Sequence, residues 1–272
     1  MKLAIAFLLG IGFLVPVFAG ASKEGKAAPQ MYTIEIAGST SVTPLMELLA
    51  AEYVKTHAGV KININGTGSS DGIRAAAAGT SELGMSSREL SPAEKGFGLV
   101  EQVIAIDGIA VIVHPDNPTG ALTLEQIHGI YSGAITDWSE ISAGKSGKIA
   151  VVSREPGSGT RGAFEELIQL KDKLVLGASE FDGTGAIKAE LSRNSDAVGY
   201  ISLGSLDSSV KAVNIQGAEA TADNVRNGSY PIARPFIVVS KKNLGAEAKG
   251  FLDWVLGSEG QKIAGKNWIS AQ

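Results

Sequence analysis

Three turns built almost wholly from Gly, Ser and Thr punctuate this chain: Gly38-Ser39-Thr40-Ser41, Gly68-Ser69-Ser70-Asp71-Gly72 and Gly157-Ser158-Gly159-Thr160. Each follows an apolar run that reads as a strand and precedes one that reads as a helix, which confines the chain to repeated strand–turn–helix units. Helix N-termini present unpaired backbone N–H groups at the positive end of the helix dipole, and glycine lets backbone approach a ligand closely. Three such turns predict oxyanion cradles that serve one buried anion.

The pattern between the turns is α/β. Tyr32 to Ile36 alternates as a strand, and Leu45, Leu48, Leu49 and Tyr53 share one helical face, with Pro44 in the first turn. Val60 to Asn65 and Ile73 to Ala78 repeat the unit, closed by Gly79. Ser91-Pro92-Ala93-Glu94 and Thr123-Leu124-Glu125-Gln126 have the spacing of capping boxes. Val103 to His114 is the longest apolar strand signal, and further strands are expected at Ile149–Val152, Val198–Leu203, Val210–Ile215 and Pro231–Ser240. An amphipathic helix around Phe251, Leu252, Val255 and Leu256 ends the chain. Alternating elements of this kind predict mainly parallel sheets, with the turns contributed by two lobes that flank a cleft.

Composition narrows the function. With 24 basic and 28 acidic residues the formal charge is −4, which argues against a nucleic-acid partner or a polybasic membrane surface. Met1-Lys2, the apolar run Leu3–Phe18 and Ala19-Gly20-Ala21 read as a signal peptide over 1–21, followed by a flexible leader over 22–30. No cysteine is present to form a disulfide, a thiolate metal site or a lipid anchor, so the mature protein is expected outside the cytoplasmic membrane and free of it.

Catalytic readings lack their parts. Gly144-Lys145-Ser146 ends like a nucleotide-phosphate loop, but Ser139 stands where that loop needs glycine. Pro156 occupies the glycine position of a nucleophile elbow at Ser158, and His57, His114 and His128 have no metal-ligand spacing. The chain is therefore expected to bind rather than to catalyse, with no cofactor or metal.

Hydroxyls from Ser39, Thr40, Ser41, Ser69, Ser158 and Thr160, with backbone amides such as that of Gly159, supply the donors a tetrahedral oxyanion needs. Arg154 can add two parallel bonds, and Arg161 lies in the following first helical turn. Hydrogen phosphate carries an O–H donor whereas sulfate only accepts, so a carboxylate acceptor in the site selects phosphate. Asp71 and Glu155 are the two candidates.

From about Ile34 to Ile263 the chain resembles the phosphate-binding proteins of periplasmic phosphate ABC transporters, which have the type II periplasmic-binding-protein fold. The resemblance rests on Ala37-Gly38-Ser39-Thr40-Ser41-Val42, Gly68-Ser69-Ser70-Asp71-Gly72-Ile73, Ile130-Tyr131-Ser132-Gly133, and Ile135-Thr136-Asp137-Trp138. It continues through Arg154-Glu155-Pro156-Gly157-Ser158-Gly159-Thr160-Arg161, Gly199-Tyr200-Ile201-Ser202 and Tyr230-Pro231-Ile232-Ala233-Arg234-Pro235. It implies phosphate contacts at Thr40, Ser69, Arg154, Ser158, Gly159 and Thr160, with Ser39 and Ser41 as neighbours. Ser87 falls where some members have the aspartate that reads the phosphate proton, which leaves that role to Asp71 or Glu155. The family topology implies lobe 1 over 31–112 plus 205–272 and lobe 2 over 113–204. It also implies a periplasmic monomer that delivers inorganic phosphate to a membrane permease and ATPase. The rival readings are a binding protein for sulfate or molybdate, and a secreted phosphatase or adhesion protein on the same scaffold.

Overall fold

The strand–turn–helix units appear where the alternation of apolar residues puts them. A computed structural model describes residues 31–170 and 174–271; the signal-peptide and leader readings lie outside them. The first half runs β1 (Tyr32–Gly38), α1 (Thr43–Thr56), β2 (Val60–Gly66), α2 (Ser69–Ala78), β3 (Leu83–Ser86) and α3 (Pro92–Lys95). Then come β4 (Val100–Val113), β5 (Ala121–Leu122), α4 (Leu124–Ser132), β6 (Ala150–Arg154), α5 (Gly159–Leu167), β7 (Ser179–Phe181), α6 (Gly183–Leu191) and β8 (Ala197–Ser202). The remainder is β9 (Lys211–Ala212), β10 (Asn214–Ile215), α7 (Ala222–Arg226), β11 (Ala233–Ser240), α8 (Ala246–Leu256), α9 (Ser258–Ala264) and β12 (Ile269–Ser270).

Local chemistry sets the helix ends. Both capping boxes form: the Ser91 hydroxyl accepts from the Glu94 amide at 3.3 Å while the Glu94 carboxylate accepts from the Ser91 amide at 2.8 Å. Thr123 and Gln126 repeat the exchange at 3.1 and 2.8 Å. Gly79 ends α2 with φ +81°, a left-handed conformation that glycine takes without a Cβ clash.

The principal sheet has the order β2-β1-β3-β11-β4-β8-β6-β7. Its flanks are parallel, as expected from the alternating elements, but β11 runs antiparallel to both β3 and β4, and β4 antiparallel to β8. The centre is antiparallel because β4 is long enough to serve two halves. Its residues up to Gly108 pair with β11, and from Ile109 onward they pair with β8.

Each half has its own apolar core. Ile34, Ile36, Leu45, Met46, Tyr53, Met85, Phe236, Phe251 and Trp268 bury together on one side. Tyr131, Trp138, Phe164, Val198, Tyr200 and Ile232 do so on the other, where Ile187, Leu191 and Ile201 form a second cluster. Strand β4 enters both, with Ile104 and Ala105 in the first core and Ile109, Val111 and Val113 in the second.

The boundary expected at 205 moves accordingly. After β8 the chain touches the first half at Gly204, which abuts the Trp268 indole, and then turns back. Val213, Ile215, Val225, Tyr230 and Ile232 pack in the second core, so the chain returns to the first only with β11. Likewise the forward crossing lies at Gly108 and Ile109, within β4, rather than at 113–116. A continuous strand can cross between two cores because its alternate side chains find apolar partners in each.

Close packing of α2 on the sheet depends on Gly72. A Cβ there would lie 2.5 Å from both the Ala37 carbonyl oxygen and Gly38 Cα, which are backbone atoms with no easy escape. Gly72→Ala is expected to cost about 1–3 kcal/mol and to lower the melting temperature by roughly 5 °C. A thermal melt followed by circular dichroism that coincides with the parent's would refute this packing.

Candidate functional site

Five loops at the carboxyl ends of strands meet between the two cores, where open α/β sheets place ligands. They follow β1, β2, β3, β6 and β7, and four of them lead into α1, α2, α5 and α6. Gly38 permits the convergence of β1 on β3: its φ is +138°, and a Cβ would come within 2.2 Å of the Met85 carbonyl oxygen. The Ser39 amide donates to that same carbonyl at 2.9 Å, while the Thr67 and Gly68 amides both donate to Gly38 O at 2.8 Å. The Ser70 amide then reaches across the cleft to Gly157 O at 3.2 Å.

The three Gly/Ser/Thr turns do share one place. Ser39 Oγ donates to Ser87 Oγ at 2.9 Å, and Ser87 Oγ lies 3.4 Å from Ser69 Oγ and 3.5 Å from Thr160 Oγ1. Ser41 Oγ and Thr160 Oγ1 are 2.7 Å apart across the cleft. Ser39, Ser41, Ser69, Ser87, Ser158 and Thr160 are all buried. Ser158 also caps α5, accepting from the Arg161 amide at 3.3 Å. Gly159 makes the contact between halves sterically possible, since a Cβ there would sit 2.2 Å from Ser69 Oγ and 2.8 Å from Ser87 Oγ.

Arg154 is the buried cation of the cluster, 1% exposed. Its Nε and Nη2 donate to the two Glu155 carboxylate oxygens at 2.8 and 2.7 Å, and Nη2 also reaches Thr40 Oγ1 at 3.1 Å. Its Nη1 is buried with no partner. Burial pushes the Glu155 carboxyl up, but the hydrogen bonds and charge of Arg154, with the Gly183 amide at 3.2 Å, hold it below the usual carboxylate range.

The two acceptor candidates are accounted for otherwise. Asp71 points outward: its side chain is half exposed and pairs with Arg74 one helical turn away on α2. Glu155 turns both oxygens to Arg154 and Gly183. Acidic residues in the first turn of a helix favour its dipole, and that role suffices for Asp71. Arg88 is held by Glu94 at 2.7 and 2.8 Å and by Ser70 Oγ at 3.0 Å. Arg161 is held by Glu165 at 2.7 Å, Glu180 at 2.6 Å and the Arg154 carbonyl at 2.8 Å.

Thr184 joins the cluster without having been singled out in the sequence. Its amide donates to Thr40 Oγ1 at 3.3 Å, and its hydroxyl lies 3.4 Å from those of Thr40 and Ser41. The signal was present as Asp182-Gly183-Thr184-Gly185, a fourth Gly/Thr turn opening a helix. Strand β7 before it has three residues, too few for alternation to register.

The arrangement combines hydroxyl donors, helix N-termini from both halves and one guanidinium with a free N–H, a donor set suited to a tetrahedral oxyanion. Gly159→Ala should force the two loops apart and weaken tetrahedral-anion binding about tenfold or more, with the circular dichroism spectrum unchanged. Equal affinity by calorimetry would contradict this close approach.

Residues 23–259 match the family described as the PBP superfamily domain. The chain is 42% identical over 149 residues to phosphate-binding protein PstS 2 of Streptococcus agalactiae, covering 51% of this chain and 50% of that one. It thus spans about half the length of that curated relative. Phosphate-binding protein PstS of Pseudomonas aeruginosa is 28% identical over 89% of this chain and 84% of its own length. Among solved structures, a putative phosphate ABC transporter substrate-binding protein from Clostridium perfringens with bound phosphate has a TM-score of 0.86 and 46% identity. That match covers 88% of this chain and all of the other. An ABC-type phosphate transport receptor from Vibrio cholerae has a TM-score of 0.73 and 35% identity, covering 88% and 99%.

Proposed function

The chain belongs to the PBP superfamily, and on that premise we propose that it is an exported solute-binding protein that captures inorganic phosphate between its two halves for an ABC-type permease. The observation that carries the reading is Arg154, a buried guanidinium whose Nη1 has no partner, among hydroxyls drawn from both sides of the cleft. The phosphate named for the Clostridium perfringens and Vibrio cholerae relatives, at 46% and 35% identity over nearly their whole lengths, supports the same ligand. In this reading Ser39, Thr40, Ser41, Ser69 and Ser87 donate from one half, and Arg154, Ser158, Gly159, Thr160 and Thr184 from the other. Asp71 drops out of the site because it faces solvent. Residues 1–21 act as the signal peptide, and the mature chain works as a monomer in the periplasm.

Binding without turnover follows from how the hydroxyls are held. Ser158 Oγ accepts from an amide, and among the described residues no imidazole supports it: His57 stacks on Tyr53 at 3.7 Å between ring centroids, His114 Nδ1 accepts from the Asp116 amide and His128 Nδ1 faces the Ile168 carbonyl. Nucleophilic attack by a serine needs an adjacent base. Micromolar affinity corresponds to about −8 kcal/mol, a net value reached after anion dehydration is offset, so donors from both halves are needed.

One observation favours a broader oxyanion reading. Neither Asp71 nor Glu155 offers a free carboxylate to a phosphate proton, which leaves hydroxyl lone pairs as the acceptors. Such acceptors do not repel sulfate as a carboxylate does. Competition calorimetry at neutral pH separates the two: sulfate that fails to displace an equal concentration of phosphate supports phosphate, and displacement supports the broader reading. Arg154→Ala is expected to weaken phosphate binding by about tenfold or more with the circular dichroism spectrum of the folded protein retained. Unaltered affinity would remove Arg154 from the site.

A further inference from the structure

The motif Tyr230-Pro231-Ile232-Ala233-Arg234-Pro235 supplies none of the donors assigned above, yet it holds the other guanidinium buried beside the cleft. Arg234 is 3% exposed at the start of β11, directly opposite Asp107 of β4 in the antiparallel register. Its Nη2 donates to Asp107 Oδ2 at 3.2 Å. Asp107, 1% exposed, accepts on its other oxygen from Ser202 Oγ at 2.9 Å and from the Gly204 amide at 3.4 Å. These residues stand where β4 passes from one core to the other and β8 ends. Arg234 Nη1 donates to the Ser87 carbonyl at 3.0 Å, while Nε is buried without a partner.

We propose that Arg234 is a positioning residue for the anion site: anchored by Asp107 at the crossover, it fixes the Ser87 peptide and thereby aims the Ser87 hydroxyl into the cluster. Ser87 is the hub of that cluster, within 3.5 Å of the Ser39, Ser69 and Thr160 hydroxyls, so a rotation of its peptide alters donors on both sides. A planar guanidinium holds two acceptors in a set geometry, whereas an ammonium is a single point and does not span them. Burial pushes the Asp107 carboxyl up to about 6 and the Arg234 guanidinium down to about 10, against their mutual attraction. A pair so desolvated tolerates little movement, because separation leaves two buried charges unpaired. The crossover strands that any closing motion must flex are thereby tied to the wall of the site.

The inference rests on the phosphate reading, and a double-mutant cycle on the full chain tests both. Phosphate affinity is measured by calorimetry for the parent, Ser87→Ala, Arg234→Lys, the double variant and Arg154→Ala. Ser87→Ala and Arg234→Lys should each weaken phosphate binding about fivefold or more, and the double variant should be at most about twofold weaker than the weaker-binding single one. Additive losses, or an Arg234→Lys protein that melts earlier but binds phosphate as the parent does, would overturn the positioning role. Should Arg234→Lys fail to fold, Ser202→Ala keeps every charge while loosening Asp107, and the same cycle with Ser87→Ala applies. Parent protein that binds no phosphate would bring down the phosphate reading and this inference with it. Loss in Arg154→Ala with additive effects at Arg234 and Ser87 would bring down the inference alone.

Discussion

A guanidinium removed from water is costly unless its donors are met, and the cleft is organised around that requirement at Arg154. Glu155 neutralises its charge with two parallel bonds, and Thr40 brings the opposite half to it at 3.1 Å. The turn Gly157-Ser158-Gly159-Thr160 follows directly, so the residues that hold the cation also open α5 beside it. Nη1 is left buried without a partner, and in the proposed reading it is the bound anion that meets it.

The two halves are joined by shared strands rather than by a flexible linker. Strand β4 buries Ile104 and Ala105 in the first core and Ile109, Val111 and Val113 in the second, and β11 returns beside it, so the crossover is as well packed as the halves. At the contact between the halves Gly159 lets backbone meet the Ser69 and Ser87 side chains, and the contact is polar rather than apolar. Relatives named for phosphate share this architecture at TM-scores of 0.86 and 0.73.

Much of the site was legible because its signals are local. Ser39, Ser41, Ser69 and Thr160 lie in turns whose Gly/Ser/Thr content marks a helix start, and all of them come together. Asp71 lies in the second of these turns but is half exposed, because its side chain leaves α2 about 100° around the axis from Gly72, whose face packs on β1. Thr184 escaped notice since its strand is too short to alternate, although its turn has the same composition as the others. The lobe boundary expected at 205 shifts for a different reason: Gly204 touches the first core at Trp268, and only the packing of Val213, Val225 and Ile232 reveals that the chain turns back.

The sequence by itself determined the first strand–turn–helix units, the capping boxes at Ser91 and Thr123, the glycine-rich helix starts and the arginine ahead of the third. These follow from steric and hydrogen-bonding preferences that act over four or five residues. The tertiary structure alone decided that Asp107 and Arg234 form a buried pair 127 residues apart. It also decided that β4 is the bridge between two cores. Those outcomes depend on which desolvated charge meets which, a matter of distances between segments that no local pattern encodes.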